Sequence, residues 1–262
     1  MSSSSDVISK DGTRITFDRI GIGLPIVLVS GLLCDRTKAH DLAEQLSKQF
    51  TVISYDRRGR GDSTDTSPYS VERELEDLAA LIADVGGAAL VYGHSSGAGL
   101  ALHAAASGLS ITRLVLHEPP YSLDDEESKQ SARELAEQVR AALAAERRGD
   151  AIELFFAATG MSAEMASEMS SDPALRKMAP TMSYDFEVMG ESRGGTIPKE
   201  LVRAIRVPTL VLAGGASPEF FRDIASQVAE LLPNGTLSVL EDQDHAAPAE
   251  VVAPVVARFC AV

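Results

Sequence analysis

Apolar positions along this chain alternate between two rhythms. A short continuous run, the pattern of a strand buried on both faces of a sheet, occurs at Ile26-Val27-Leu28-Val29, and residues 50–55, 88–92, 113–116, 207–213 and 237–240 also read as strands. Between them lie stretches with helical character, at residues 39–47, 71–85, 96–107, 218–232 and 249–259. In the second of these, Leu75, Leu78, Ala79 and Ile82 form one stripe. Ahead of the first buried run, residues 7–9 and 14–17 flank Lys10-Asp11-Gly12-Thr13, a hairpin turn centred on Asp-Gly. Strands that alternate with helices need crossover connections, which make parallel pairs. The pattern therefore predicts an α/β protein: a mostly parallel sheet with helices on both faces and an antiparallel hairpin at its start.

Residues 121–206 break the alternation. They read as helical from 124 to 146, then as shorter pieces broken at Gly149, Gly160, Pro173, Pro180 and Gly190. Residues 1–120 and 207–262 are thus expected to form one core, with 121–206 a helical lid inserted into it. Six of the seven methionines lie in the insertion, and Met161, Met165 and Met169 recur every fourth residue, as on one helix face. Such a stripe packs the insertion against the core, lines a pliable apolar pocket, or does both. No internal repeat is evident.

Composition narrows the function classes. The net charge of −14 argues against nucleic acid or an anionic membrane as partner, since both need basic patches. Cys34 and Cys260 sit at opposite ends of the chain with no metal-ligand spacing, so neither a metal nor a disulfide is indicated. No apolar run approaches the roughly 20 residues that cross a bilayer, and the polar start has no signal-like core. The expectation is a cytoplasmic protein without cofactor or metal, acting on a small molecule.

The chemistry gathers at Gly93-His94-Ser95-Ser96-Gly97, which follows a buried strand and opens a helix. A strand-to-helix turn this tight presents its central residue above the sheet edge, and glycines two positions either side make room for it. The turn predicts Ser95 as nucleophile, at a helix N-terminus that favours developing negative charge. Ser96 is the rival, but the glycines are centred on Ser95. The order serine, acid, histidine then points to His245, in the late loop Asp242-Gln243-Asp244-His245-Ala246. His40, His103 and His117 read as packing or surface residues, and His94 as a residue at the edge of the pocket.

With these residues in view the chain resembles the α/β-hydrolase fold superfamily over nearly its whole length. Ile26-Val27-Leu28-Val29-Ser30-Gly31 resembles the strand and oxyanion loop of that family. Tyr55-Asp56-Arg57-Arg58-Gly59-Arg60-Gly61-Asp62-Ser63 resembles its Asp-x-Arg-Gly-x-Gly-x-Ser turn, expected to be structural. Pro208-Thr209-Leu210-Val211-Leu212-Ala213-Gly214 resembles its late strand, and His245 sits where the family keeps its histidine. An oxyanion hole needs two backbone N–H donors. Ser96 supplies the one after the nucleophile, and Leu32, with Gly31 close behind, is expected to supply the other. The family usually has His-Gly where this chain has Ser30-Gly31, which leaves the register of that loop open.

The acid departs from the usual pattern. Most relatives carry Gly-x-x-Asp after the late strand, whereas Gly214-Gly215-Ala216-Ser217 puts serine there, and serine cannot offset an imidazolium charge. Glu118, directly after the strand ending at Leu116, takes its place in this reading. Mycotoxin lactonases and certain haloalkane dehalogenases put a glutamate at this earlier strand end, and His117-Glu118-Pro119-Pro120 resembles the lactonase version. Glu219, Asp223, Asp242 and Asp244 are the alternatives. The expected function is hydrolysis of an ester or lactone of a fairly apolar small molecule through Ser95, His245 and Glu118, with Gly31, His94, Met161 and Met165 as substrate contacts. Serine at 95 argues against chemistry that needs a carboxylate nucleophile. C–C hydrolysis or acyl transfer would use the same groups, and a ligand-binding or sensor protein on the same fold is the rival of a different class.

Overall fold

The computed structural model describes residues 3–261. Its sheet has eight strands, β1 (Ser3–Ile8), β2 (Arg14–Ile20), β3 (Leu24–Val29), β4 (Phe50–Tyr55), β5 (Ala89–His94), β6 (Ile111–His117), β7 (Thr209–Gly214) and β8 (Gly235–Leu240). They run in the order β1-β2-β4-β3-β5-β6-β7-β8. β1 and β2 form the antiparallel hairpin, β2 pairs antiparallel with β4, and every pair from β4 to β8 is parallel. The hairpin reaches back to Ser3, because Ser3, Ser4 and Ser5 pair with Arg19, Asp18 and Phe17 despite their polarity.

The two-residue period of a strand explains the layers. On β3, Val27 and Val29 face one apolar core, while Ile26 and Leu28 face the other. The first core is closed by α2 (Val71–Asp84), α3 (Ser96–Ala106) and α10 (Glu219–Leu231), through Leu78, Leu100 and Val228. The second is closed by α1 (His40–Leu46) and α11 (Ala249–Cys260), through Leu46 and Val256. Each such aliphatic side chain, fully buried, contributes roughly 1.5–3 kcal/mol. Two carboxylates interrupt the apolar face of α2. Glu74 and Asp77 are both 1 % exposed, where they meet the buried guanidinium groups of Arg57 and Arg58.

Between β6 and β7 run α4 (Glu126–Ala144), α5 (Arg148–Ala158), α6 (Ala163–Ser171), α7 (Pro173–Met178), α8 (Met182–Met189) and α9 (Lys199–Ala204). Four of the five expected breaks fall at helix ends or turns. Gly160 and Gly190 take positive φ after α5 and α8, Pro173 opens α7, and Pro180 lies in the short 3₁₀ turn before α8. Gly149 does not break a helix. It lies in the first turn of α5, beside Arg176, and the break falls at 145–147. The methionine stripe also needs correction: Met161 precedes α6, and Met165 is 55 % exposed. The buried methionines are Met178, Met182 and Met189; the first two pack with Leu33, Val139 and Ile152 in a third apolar cluster.

Candidate active site

Ser95 joins β5 to α3 with φ 56° and ψ −130°. A non-glycine residue held there costs on the order of 1–3 kcal/mol, tolerated only when its surroundings fix it. They do so here. Ser95 N–H donates to the His117 carbonyl at 2.9 Å, and the Ser95 carbonyl accepts from Ala98 N–H at 2.8 Å. The turn is also too crowded for side chains on either flank. A Cβ on Gly93 would lie 2.4 Å from the Gly97 carbonyl oxygen, and one on Gly97 would lie 2.2 Å from that of Val29. The Ser95 hydroxyl makes no hydrogen bond to another described residue. Ser96 is 3 % exposed, and its hydroxyl is engaged, donating to Asp185 Oδ1 at 2.7 Å.

Glu118 follows β6 with φ 46° and is fully buried. Its Oε1 accepts from Gly214 N–H at 2.6 Å, and its Oε2 accepts from His245 Nδ1–H at 2.6 Å. Burial opposes ionisation of this carboxyl. The hydrogen bond from His245, the nearby Ser217 hydroxyl and the Gly214 amide outweigh burial and hold it below the usual glutamate value. With the proton on Nδ1, Nε2 of His245 is left as an acceptor. The other carboxylates stand apart. Asp244 Oδ1 accepts from Ala246 N–H in its own turn, and none of Glu219, Asp223 and Asp242 bonds to His245 among the described residues. His245 and Ser95 are not hydrogen-bonded to each other; such contacts often tighten only once substrate is bound.

His245 is sandwiched between two rings, Phe221 at 5.0 Å and His94 at 4.6 Å between centroids. His94 Nε2–H donates to the His245 carbonyl at 2.9 Å, so the residue before Ser95 fixes the histidine loop. Burial, with the neighbouring His245, lowers the His94 pKa to about 4. His117 packs against His94 at 4.9 Å with its ring tilted by 58°, its Nδ1 lies 2.6 Å from the Tyr92 hydroxyl, and burial lowers its pKa well below the ordinary value. A cavity of about 360 Å³ runs beside these rings, lined by Ser30, Gly31, His94, His117, His245 and Pro248 among others. Gly31 and His94 both line this cavity, and Ser95 is not among its lining residues. Met161 and Met165 do not line this cavity. A second cavity of about 330 Å³, at Asp18, Arg36, His40 and Asp41, contains none of these groups.

Leu32 and Ser96 each keep a backbone N–H with no partner among the described residues. Gly31 packs against Ser95, since a Cβ there would lie 2.9 Å from Ser95 Cβ and 3.4 Å from its Oγ. The loop bends back at Leu33, φ 55°, and Cys34 N–H reaches the Gly31 carbonyl at 3.3 Å. Behind it lies a buried charge cluster, in which Arg57 and Arg60 of the expected structural turn meet Glu74 and Asp185, two carboxylates that no spacing in the sequence announced. Cys34 and Cys260 are free thiols. Among the described residues no cluster of side chains suits a metal ion, and no helix is long and apolar enough to cross a membrane.

A profile of the alpha/beta hydrolase family matches residues 26–257, and the chain belongs to that family. It is similar to an alpha/beta hydrolase from Sphaerobacter thermophilus, at 46 % identity and a TM-score of 0.87, over 98 % of this chain and 100 % of the other. It is also similar to a thermophilic esterase from Thermogutta terrifontis, solved with malate bound, at 25 % identity and a TM-score of 0.73, over 99 % and 98 % of the two chains. The uncharacterized hydrolase YraK of Bacillus subtilis is 34 % identical over 106 residues, which span 39 % of each protein. The chain thus aligns with well under half the length of that relative.

Proposed function

We propose that the chain is a serine hydrolase that cleaves an ester or lactone of a fairly apolar small molecule, with Ser95 as nucleophile, His245 as general base and acid, and Glu118 as the triad acid. The observation that carries this reading is the buried Glu118 carboxylate, 2.6 Å from His245 Nδ1, beside a serine at φ 56° on a helix N-terminus. Nε2 of His245 takes the Ser95 proton as Oγ attacks the carbonyl carbon. The Leu32 and Ser96 amides receive the oxyanion, and Glu118 stabilises the imidazolium. His245 then protonates the leaving alkoxide, which departs as an alcohol or, in a lactone, stays tethered to the acyl group. Water, deprotonated by His245, releases the acid and restores Ser95.

One feature supports an apolar substrate. Leu32 and Leu33 pack with the cluster formed by Val139, Met178 and Met182, so the oxyanion loop continues into an apolar wall. Helices 126–204 would then act as a lid over the site, inserted as residues 121–206 into a core of 1–120 and 207–262. The likeness to an esterase favours the ester form. Turnover of p-nitrophenyl esters of graded chain length and of lactones of graded ring size tests the reading. The wild type should hydrolyse a subset, and Ser95→Ala should lose on the order of 10⁴-fold or more. Undiminished hydrolysis by Ser95→Ala would overturn the assignment.

A further inference from the structure

The hydrolytic scheme leaves the buried ionic group around Asp185 unused. Asp185 lies on α8, far from Ser95 in sequence, and is 1 % exposed. Its Oδ1 accepts from the Ser96 hydroxyl at 2.7 Å and from Arg57 Nη1 at 2.6 Å, while its Oδ2 accepts from Arg60 Nη2. Arg60 Nη1 then donates to the Gly31 carbonyl at 2.7 Å, and Arg57 Nη1 approaches the Ser30 carbonyl at 3.5 Å. The outer side of the cluster is closed by Glu74 on Arg57 and by Tyr69 on Glu74, with Thr181 accepting from Arg60 Nε. Burial opposes the Asp185 charge, but the two guanidinium groups and the Ser96 hydroxyl overcome it and hold the carboxyl below its usual value.

The peptide plane gives these bonds their meaning. The Gly31 carbonyl and the Leu32 N–H belong to one planar unit and point in opposite directions, so fixing the oxygen fixes the direction of the N–H. A charged donor on that oxygen also draws electron density along the amide and strengthens its N–H as a donor. On the other side, the bond from Ser96 Oγ pins the residue whose own N–H opens α3. One carboxylate from the segment between β6 and β7 therefore bonds the Ser96 side chain directly and reaches the Gly31–Leu32 peptide through Arg60. A buried ion cluster adds little stability over an apolar filling of the same volume, so stability alone is a weak account of its presence.

We propose that Asp185 is a positioning residue that aligns the two halves of the oxyanion hole, the Leu32 amide through Arg60 and Gly31, and the Ser96 amide through the Ser96 hydroxyl. The proposal rests on the serine-hydrolase reading above. It makes the seating of α8 on the core a condition for a formed hole: with α8 displaced, both donors lose their alignment while Ser95, His245 and Glu118 keep their own contacts.

The test compares wild type, Asp185→Asn, Ser96→Ala and Arg60→Lys by kcat and KM on a p-nitrophenyl ester, and by affinity for a trifluoromethyl ketone, whose Ser95 adduct carries an oxyanion. Misalignment should lower kcat by roughly 10–100-fold in Asp185→Asn, with KM within about twofold. Ketone affinity should fall in proportion to kcat/KM, and the pH profile of kcat/KM should keep its shape. Ser96→Ala leaves the arginines paired, so it decides the matter if Asp185→Asn does not fold; its kcat should fall several-fold with unfolding close to that of wild type. Variants with lowered thermal midpoints but wild-type kcat and ketone affinity at a temperature where they are folded would overturn the proposal and leave the hydrolase reading intact. A wild type that neither turns over esters nor binds the ketone would overturn both.

Discussion

Glu118 Oε2 lies 2.6 Å from Nδ1 of His245, a residue 127 positions further along the chain. The carboxylate comes from the end of β6. Ser217, in the turn after β7 where the family pattern has its acid, is buried beside the same carboxylate. Two strand ends thus converge on one spot behind the imidazole, and in this chain the earlier one carries the charge.

Glu118→Gln should lower kcat/KM for a p-nitrophenyl ester by about 10³–10⁴-fold, because the imidazolium loses its counter-charge and its tautomer is no longer fixed. Adding Ser217→Asp to that variant returns a carboxylate to the same region, and the double variant should recover at least about tenfold. An undiminished rate in Glu118→Gln would move the acid elsewhere.

Gly31→Ala puts a methyl 2.9 Å from Ser95 Cβ and 3.4 Å from its Oγ. The oxyanion loop or the nucleophile must then shift by a few tenths of an ångström. The expected result is a loss of roughly 10²-fold in kcat with little change in thermal midpoint, read from steady-state kinetics and a melting curve. A variant with wild-type kcat would show that the loop around Gly31 takes no part in the site.

His94 makes stability depend on pH. Its pKa is lowered to about 4 in the folded protein, against about 6.5 for an unfolded histidine. Between these values the unfolded chain binds the extra proton. Stability is therefore fully present above pH 6.5 and falls as the pH drops toward 4. The full loss, reached below pH 4, is on the order of 3 kcal/mol. His94→Asn should show a correspondingly shallower slope over this window in urea unfolding. Parallel curves for the two proteins would contradict the assignment.

Asp77 compensates Arg58, whose side chain is fully buried, through bonds of 2.7 and 2.9 Å. Asp77→Ala leaves that guanidinium with Asp11 as its remaining carboxylate. Removing one partner of a buried pair costs about 3–5 kcal/mol, and the thermal midpoint should fall by roughly 10 °C. A change of less than about 1 kcal/mol would show that Asp11 alone suffices.

The parts of the molecule legible from sequence were those with a local signature. Runs rich in apolar residues mark β3 to β7 because strands buried on both faces need no alternation, and the Gly93–Gly97 spacing marks the turn at Ser95 because only glycine fits there. Glu118 could be singled out because serine stands at 217. The charge cluster at Asp185 had no such mark. It joins a turn at 57–60 to α8 across 128 positions of sequence from Arg57 to Asp185, and nothing local distinguishes Asp185 from a solvated acid. Glu74 and Asp77 carry no such mark either, since carboxylates ordinarily belong on the outer face of an amphipathic helix. Phe221, which stacks on His245, reads as one more apolar residue of α10. The methionine stripe misled because its spacing ignores the turn that separates Met161 from α6.

The most direct test is covalent labelling with a fluorophosphonate, followed by intact mass and peptide mapping. A live serine nucleophile predicts a single adduct on Ser95, absent in Ser95→Ala and formed far more slowly in Glu118→Gln. No adduct, or one on a different serine, would contradict the catalytic account and favour a protein that binds its ligand without turning it over.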